Sequence, residues 1–174
     1  MPVALVPDIA VYVCTNCIPQ GVRLLRQWRH EGARVLVREV PCTGKMDAQY
    51  LCHAIEGGLR GVCVLACPKG ECHLAQGNYR AEVRIATLQR LLAEIGLEPE
   101  RARLVHVACD SPAEQFDPLV RDAVAGICAL GESPLRQKGE RPLLPERPAT
   151  KLRSVPGCAQ TGAVPFSPPK VGDG

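Results

Sequence analysis

The sequence predicts an α/β fold: a single domain with a four-stranded parallel sheet and helices on both faces, followed by a Pro-rich irregular tail. Three observations lead to this prediction. Short apolar, β-branched runs alternate with segments of helical periodicity up to residue 130. Strands separated by helices pair in parallel, and the helices cover both faces of the sheet. The continuous apolar run at 61–66 is typical of a strand buried on both faces.

The four predicted strands cover residues 9–13, 33–40, 61–66 and 104–108. The first predicted helix covers residues 22–30 and ends before Gly32. The second covers residues 48–56, because Asp47 is a good N-cap and Gly57 follows the last helical residue.

The third and fourth helices have stronger signals. The third is predicted from a set of apolar residues spaced by four and three, which places them on one helical face: Ala81, Ile85, Leu88, Leu92 and Ile95. The fourth begins at a capping box formed by Ser111 and Glu114, with proline at the first helical position, and extends to about residue 130.

The composition changes after residue 130, which divides the chain into three parts. Residues 1–8 form an N-terminal lead, residues 9–130 the α/β domain, and residues 131–174 the tail. Half of the 16 prolines lie in this tail. Such a segment is predicted to be extended or disordered, and it could become ordered on a partner protein.

Charge and hydropathy exclude several classes of function. The net charge of +3 arises entirely in the tail, because residues 1–130 carry 14 basic and 14 acidic residues. A neutral domain indicates no nucleic-acid partner. No apolar run approaches the roughly 20 residues of a membrane span, and the N-terminus does not resemble a signal peptide. We therefore expect a cytoplasmic protein, in which ten cysteines indicate metal or redox chemistry rather than disulfides.

Six of the ten cysteines follow the carboxyl ends of the predicted strands, where ligand sites form in open α/β sheets. They are Cys14, Cys17, Cys42, Cys67, Cys72 and Cys109. Cys109 could be a ligand or a surface thiol, and we predict a free thiol at Cys158. Three other cysteines fall inside predicted helices or strands and are predicted to be buried apolar residues: Cys52, Cys63 and Cys128.

The spacing of these cysteines favours a soft metal. Cys14 and Cys17 form a C-x2-C pair, Cys67 and Cys72 form a C-x4-C pair, and Cys42 lies midway between the pairs. Thiolates at such spacings bind zinc or iron–sulfur clusters. The spacing separates the two metals only weakly, but the lack of a second C-x2-C pair favours iron.

Four motifs in order resemble one known family. They are Cys14-Thr-Asn-Cys17, Pro41-Cys-Thr-Gly-Lys-Met-Asp47, Gly61-Val-Cys-Val-Leu-Ala-Cys-Pro-Lys-Gly-Glu-Cys-His73 and Gly77-Asn-Tyr-Arg-Ala-Glu82. From about residue 9 to residue 130, the chain is similar to the delta subunit of methyl-viologen-reducing hydrogenase, an iron–sulfur protein also found with heterodisulfide reductases and formate dehydrogenases.

The resemblance implies a [2Fe-2S] cluster and an electron-transfer role without a catalytic residue of its own. The implied cluster ligands are four of five cysteines: Cys14, Cys17, Cys42, Cys67 and Cys72. The implied partners are a hydrogenase or a formate dehydrogenase on one side. On the other side is a flavin-containing protein like the A-type subunit of heterodisulfide reductase, where flavin-based bifurcation occurs.

Two other functions remain open at this point. Cys14 and Cys17 could act as a thiol–disulfide oxidoreductase pair, or the cysteines could bind zinc in an interaction module without redox activity. His73 could donate a hydrogen bond to a metal-bound sulfur. Four basic residues near the cysteine motifs are predicted to be solvated charges: Lys45, Lys69, Arg80 and Arg84.

Overall fold

One five-stranded sheet organises the fold in the computed structural model, which describes residues 7–136. The strands are β1 (Ile9–Cys14), β2 (Gln27–His30), β3 (Ala33–Val40), β4 (Gly61–Ala66) and β5 (Ala102–His106). Their order across the sheet is β2-β3-β1-β4-β5. The pairs β1–β3, β1–β4 and β4–β5 are parallel, whereas β2 pairs antiparallel with β3.

Three helices cover the two faces of this sheet: α1 (Ala48–Glu56), α2 (Gly77–Glu94) and α3 (Ala113–Cys128). Alternate side chains of β1 lie on opposite faces of the sheet. Ala10 and Tyr12 pack in the cluster that contains α1 and α2, whereas Ile9, Val11 and Val13 pack in the cluster that contains α3. This arrangement confirms the predicted α/β fold class with helices on both faces.

The first two helices agree with their sequence signals. Asp47 is the N-cap of α1, and its carboxylate accepts a hydrogen bond from the Gln49 amide at 3.1 Å. Along α2, the predicted apolar face is buried at Ala81, Ile85, Leu88 and Leu92. Burial of each large aliphatic side chain contributes about 1.5–3 kcal/mol. Ile95, which follows the end of α2, is 64% exposed and does not belong to this face.

The helix predicted at residues 22–30 is absent, and the sheet gains a strand there. Residues 18–26 form no helix or strand, and β2 follows them as an antiparallel edge strand. The Val37 amide donates to the Arg26 carbonyl at 2.9 Å, and Trp28 packs against the α3 side of the core. Pairing with β3 therefore outweighs the local helical propensity. The predicted four-stranded sheet has five strands for this reason.

Smaller differences occur near the end of the domain. The last strand lies two residues earlier than predicted, because β5 pairs with β4 from Ala102 onward. The expected capping box is not formed: Pro112 is the N-cap of α3, and no side chain caps this helix. The N-terminal lead before residue 7 and most of the predicted tail, residues 137–174, lie outside the described residues.

None of the helices that the structure describes is both long enough and apolar enough to cross a membrane.

Candidate metal centre

Six cysteines lie near the carboxyl edge of the sheet, as the sequence predicts. All four parallel strands end at this edge, so the loops that follow them converge there. Cys14 is the last residue of β1, and Cys67 directly follows β4. The other four lie in adjoining segments: Cys17 in a 3₁₀ turn after β1, Cys42 after β3, Cys72 between β4 and α2, and Cys109 after β5.

Cys14, Cys17 and Cys67 bring three sulfur atoms together, and we call this group the sulfur triad. Their Sγ atoms all lie within 4.8 Å of one another. The distance from Cys17 Sγ to Cys67 Sγ is 3.4 Å, and that from Cys67 Sγ to Cys14 Sγ is 3.7 Å. All three residues are buried and none forms a disulfide. Converging buried thiols of this kind are suited to a soft metal.

Cys42 and Cys72 form a second group, the sulfur pair, at the N-terminus of α2. Their side chains interact, because each affects the pKa of the other. The Gly44 amide donates a hydrogen bond to Cys42 Sγ at 3.4 Å, and the Gly77 amide donates one to Cys72 Sγ at 3.1 Å. Backbone N–H groups and a helix N-terminus both favour negative charge on sulfur. Burial acts against the charged form at both sulfurs; the backbone hydrogen bonds outweigh it at Cys72, whose pKa is lowered, but not at Cys42, whose pKa is raised.

Cys14 links the sulfur triad to the sulfur pair. Its Sγ lies 3.8 Å from the Pro41 carbonyl oxygen, in the segment that leads to Cys42. The backbone of Thr43, the residue after Cys42, forms a hydrogen bond with the Cys14 sulfur that lowers the pKa of Cys14. Burial raises the pKa of Cys42, and the neighbouring sulfurs of Cys72 and Cys14 raise it further. Cys14 is thus the member of the sulfur triad that faces the sulfur pair.

Protons are unevenly distributed within the sulfur triad. A hydrogen bond from Cys17 lowers the pKa of Cys14 to about 5. The same interaction with Cys14, together with burial, raises the pKa of Cys17. Burial raises the pKa of Cys67 to about 12. At neutral pH the metal-free triad therefore holds one thiolate and two thiols, and a metal ion would displace the remaining protons from its ligands.

Two glycines allow the Cys42 loop to touch the first turn of α2. A Cβ atom added to Gly44 would lie 2.6 Å from the Gly77 Cα atom. A Cβ atom added to Gly77 would overlap the Cys42 sulfur. Only glycine at both positions lets the backbone of α2 approach the sulfur pair this closely.

Two polar side chains of α2 fix the loops that carry the cysteines. The buried Asn78 donates from Nδ2 to the Pro68 carbonyl, in the loop between Cys67 and Cys72. Arg84 donates from Nη1 to the carbonyl oxygens of Gly44 at 2.6 Å and Met46 at 2.9 Å. One helix therefore holds both loops that lead to the sulfur pair.

The interpretation of Arg84 as a solvated charge is wrong, because its guanidinium is committed to two backbone carbonyls. Arg84 directly precedes Ile85 and lies three residues after Ala81, both on the buried face of α2. This position at the border of the apolar face was the available signal. Lys69 agrees better with the prediction, since it is exposed and pairs with Glu82 at 2.9 Å.

The predictions for the remaining cysteines are confirmed only in part. Cys63 and Cys128 are buried, as predicted, whereas Cys52 is partly exposed. Cys109 is partly exposed, and its side chain interacts with Cys67 at the edge of the sulfur triad. Cys158 lies outside the described residues.

A histidine that was not singled out in the sequence also contacts the site. His73, which could donate a hydrogen bond to a metal-bound sulfur, adjoins Cys72 and is exposed. His106 lies at the end of β5, and its Nδ1 is 2.9 Å from the Cys67 carbonyl oxygen. His106 had no partner in the sequence that indicated this contact, because it depends on the pairing of β5 with β4.

Comparisons with known proteins extend these observations. A family model described as "Methyl-viologen-reducing hydrogenase, delta subunit" matches residues 9–131. The D-type iron–sulfur subunit of the F420-non-reducing hydrogenase of Archaeoglobus profundus is 34% identical over 126 residues, which cover 72% of this chain and 91% of the relative. The vhu D-type iron–sulfur subunit of the F420-non-reducing hydrogenase of Methanocaldococcus jannaschii is 34% identical over 104 residues, which cover 60% of this chain and 77% of the relative.

A third relative is much longer than this chain. The A-type subunit of the ferredoxin:CoB-CoM heterodisulfide reductase of Methanosarcina mazei is 27% identical over 126 residues, which cover 72% of this chain but only 16% of that polypeptide. The resemblance stated from the motifs is confirmed by the family match, which covers most of the chain. The chain belongs to the family of the delta subunit of methyl-viologen-reducing hydrogenase.

Proposed function

We propose that this protein is an electron-transfer subunit that carries one [2Fe-2S] cluster at the carboxyl edge of its sheet. The observation that carries the proposal is the convergence of the sulfur triad and the sulfur pair in a member of this family. Relatives of the chain are named as iron–sulfur subunits of hydrogenases and as the A-type subunit of heterodisulfide reductase, which supports an electron-transfer role in such complexes.

The proposed ligands are Cys14, Cys42, Cys67 and Cys72. Cys14 and Cys67 belong to the sulfur triad, and Cys14 also faces the sulfur pair, so these four sulfurs form a continuous set. Cys17 is then the fifth, spare cysteine. Its neighbouring sulfurs are those of Cys14 and Cys67, and the same two contacts raise its pKa. Neither contact connects it to the sulfur pair, so Cys17 is the member of the sulfur triad that the continuous set leaves out.

The chain supplies the surroundings that a cluster requires. The N-terminus of α2 and the amides of Gly44 and Gly77 face the sulfur pair, where they stabilise negative charge. Hydrogen bonds to the sulfurs and the degree of burial set the reduction potential of an iron–sulfur cluster. When bound, the cluster supplies one-electron redox chemistry. Cys72 is the most exposed of the four proposed ligands, so it marks the side nearest the surface.

We propose that the partners are a hydrogenase or a formate dehydrogenase as one redox partner and a flavin-containing protein like the A-type subunit of heterodisulfide reductase as the other. In the Methanosarcina mazei relative, a region similar to this chain lies within the heterodisulfide reductase polypeptide itself. A domain that shares a polypeptide with a protein in one organism is well suited to bind that protein's counterpart as a separate chain in another. A cytoplasmic location is part of this proposal.

A thiol–disulfide oxidoreductase is the second candidate, because the pKa of Cys14 is lowered to about 5, as in reactive C-x-x-C motifs. Burial argues against it. Cys14 and Cys17 are 2% and 0% exposed, so a disulfide substrate has no direct access to either sulfur. A zinc-stabilised interaction module would use the same sulfurs and differs in its metal.

Anaerobic purification followed by iron, zinc and sulfide analysis tests the proposal. We expect about two irons and two sulfides per chain, with an S = 1/2 EPR signal after reduction with dithionite. One zinc without sulfide would instead establish the structural module. A protein that contains no metal and in which a thiol reacts rapidly with iodoacetamide at pH 6 would favour the thiol–disulfide enzyme.

A further inference from the structure

An apolar groove lies on the α3 side of the sheet, next to the sulfur triad. It has a volume of about 240 Å³ and is enclosed by the irregular segment 18–26, β2 and α3. Its apolar lining includes the only tryptophan of the chain and one of its two phenylalanines: Val13, Val22, Trp28, Val37, Phe116 and Val120. Val13 directly precedes Cys14, so one end of the groove adjoins the proposed cluster site.

The rim of the groove combines an exposed apolar side chain with positive charge. Leu25 is 67% exposed and lies between the exposed residues Arg23 and Arg26. Within the part of the chain that the structure describes, no carboxylate lies within ion-pair distance of Arg23 or Arg26. A solvent-exposed leucine between two such arginines is suited to contact with another molecule.

The one acidic residue in the lining of the groove already forms an ion pair with an arginine. Asp117 pairs with Arg121 at 2.6 Å, and the Arg121 guanidinium lies over the Trp28 ring at 4.9 Å. Arg23 is the charged lining residue outside this pair, and the exposed Arg26 lies three positions further along the same segment. The rim is therefore positive, while the floor is apolar.

We infer that this groove docks an acidic protein segment that inserts an apolar side chain between Trp28 and Phe116. Carboxylates of that segment pair with Arg23 and Arg26, and its apolar side chain fills the cavity beside Leu25. The inference rests on the proposed function for the source of the segment, which is one of the redox proteins that assemble with this chain.

Charge and apolar character favour an acidic protein segment over the chain's own C-terminal residues and over a nucleic acid. Residues 137–174 of the chain itself carry six basic and three acidic residues, so their net charge does not complement a positive rim. A nucleic acid would match the positive rim, but not a floor of valine and aromatic side chains in a domain with equal numbers of acidic and basic residues. An acidic segment with an apolar anchor matches both features.

The position of the groove gives the docked protein a defined relation to the cluster site. The groove lies on the face covered by α3, beside Val13 and the buried sulfur triad. The exposed end of the sulfur pair lies at the N-terminus of α2, which packs on the other face. A protein bound in the groove thus leaves Cys72 free to face a second partner.

The test uses the full chain, co-expressed with the hydrogenase and the heterodisulfide-reductase-like proteins of its own organism. Hydrogen exchange is compared between the isolated full chain and the assembled complex. We expect amides 20–28 to gain protection on assembly. The double variant Arg23→Glu/Arg26→Glu should bind at least about tenfold more weakly at low salt, with a reduced salt dependence. The control Arg90→Glu, at an exposed position of α2, should bind like the natural chain.

The outcomes separate the inference from the proposed function. If the complex forms but amides 20–28 gain no protection and the double variant binds normally, the docking inference is wrong. If the isolated chain already protects these amides and deletion of residues 137–174 removes that protection, its own tail fills the groove and the inference is also wrong. Failure of the natural chain to bind any of these proteins overturns both the inference and the proposed partners. An iron-free chain that docks through the groove would refute only the cluster.

Discussion

The Cα atom of Gly77 lies against the sulfur of Cys42, with no space between them for a side chain. This contact joins the first residue of α2 to a proposed cluster ligand. It allows the N-terminus of the helix, and the amide of Gly77 that bonds Cys72, to approach the sulfur pair. The electrostatics of the site therefore depend on the absence of one methyl group.

The first prediction concerns this methyl group. Gly77→Ala should weaken iron retention by about tenfold or more, because the added Cβ must push Cys42 or α2 out of position. The measurement is iron and sulfide content after anaerobic purification, together with the absorption spectrum.

Gly96→Ala is the matched control for Gly77→Ala. Gly96 follows α2, has φ +78 and has open space around it. Its substitution should cost about 1 kcal/mol through backbone strain alone and leave the iron content unchanged. A Gly77→Ala protein with full iron content and an unaltered spectrum would show that the contact with Cys42 does not matter.

The second prediction distinguishes the two cysteines of the first motif. Cys17→Ser should retain both irons, whereas Cys14→Ser should lose most of them, because Cys14 faces the sulfur pair and Cys17 does not act on it. Iron content and the EPR signal of the reduced protein report the result. Cys52→Ser, at a partly exposed position of α1, serves as the control. The opposite pattern, with iron retained only by Cys14→Ser, would exchange the roles of the two residues.

Much of this site could be predicted from the sequence because parallel strands share a carboxyl edge. Cys14, Cys42 and Cys67 follow three short apolar runs, and their convergence follows from the sheet alone. The division of the cysteines into a triad and a pair could not be predicted in this way. It depends on how the loops turn, and on the contact of Gly44 with Gly77, which are 33 positions apart in the sequence.

The region at 22–30 shows a second limit of the sequence. Its leucines and arginines have good helical propensity, but in the fold Trp28 and its neighbours pair with the open edge of β3. Tertiary pairing overrides a local propensity that is worth a few tenths of a kcal/mol per residue. The groove beside β2 was missed for the same reason, since a helix would have placed Leu25 and Trp28 differently.

The third prediction concerns Arg84, which fixes the Cys42 loop. Arg84→Ala should release iron to a chelator about 10- to 100-fold faster, because the carbonyl groups of Gly44 and Met46 lose their donor. Arg84→Lys should restore only part of the retention, since an ammonium group lacks the planar guanidinium geometry. Arg80→Ala is the control on the exposed side of the same helix. Equal chelation rates for the Arg84 and Arg80 variants would remove the positioning role.

The fourth prediction concerns the opposite edge of the sheet, where Asp8 ties two parts of the chain together. One carboxylate oxygen accepts from the Arg34 amide at 2.8 Å, and the other accepts from Arg136 Nη1 at 2.6 Å. Burial alone would raise the pKa of Asp8, but these hydrogen bonds and the Arg136 charge lower it below its usual value of 3.8.

The sign of the pH dependence follows from this shift. A carboxyl group whose pKa is lower in the folded state stabilises the fold above its unfolded pKa, near 3.8. That stabilisation is lost as the pH falls through the lower, folded pKa. Asp8→Asn removes the charge and one of the acceptor oxygens, which should reduce the free energy of unfolding at pH 7 by about 1–3 kcal/mol.

Urea unfolding of the reduced, metal-free chain between pH 7 and pH 3 measures this effect. The difference in unfolding free energy between the natural chain and Asp8→Asn should be constant above about pH 5 and should shrink below pH 4, because the Asp8 carboxyl group then takes up a proton in the unfolded natural chain before it does so in the folded one. Asp122→Asn, at an exposed position of α3, should differ little from the natural chain throughout. A difference for Asp8→Asn that stays the same at pH 3 would mean that the charge of Asp8 contributes nothing and that only its shape is needed.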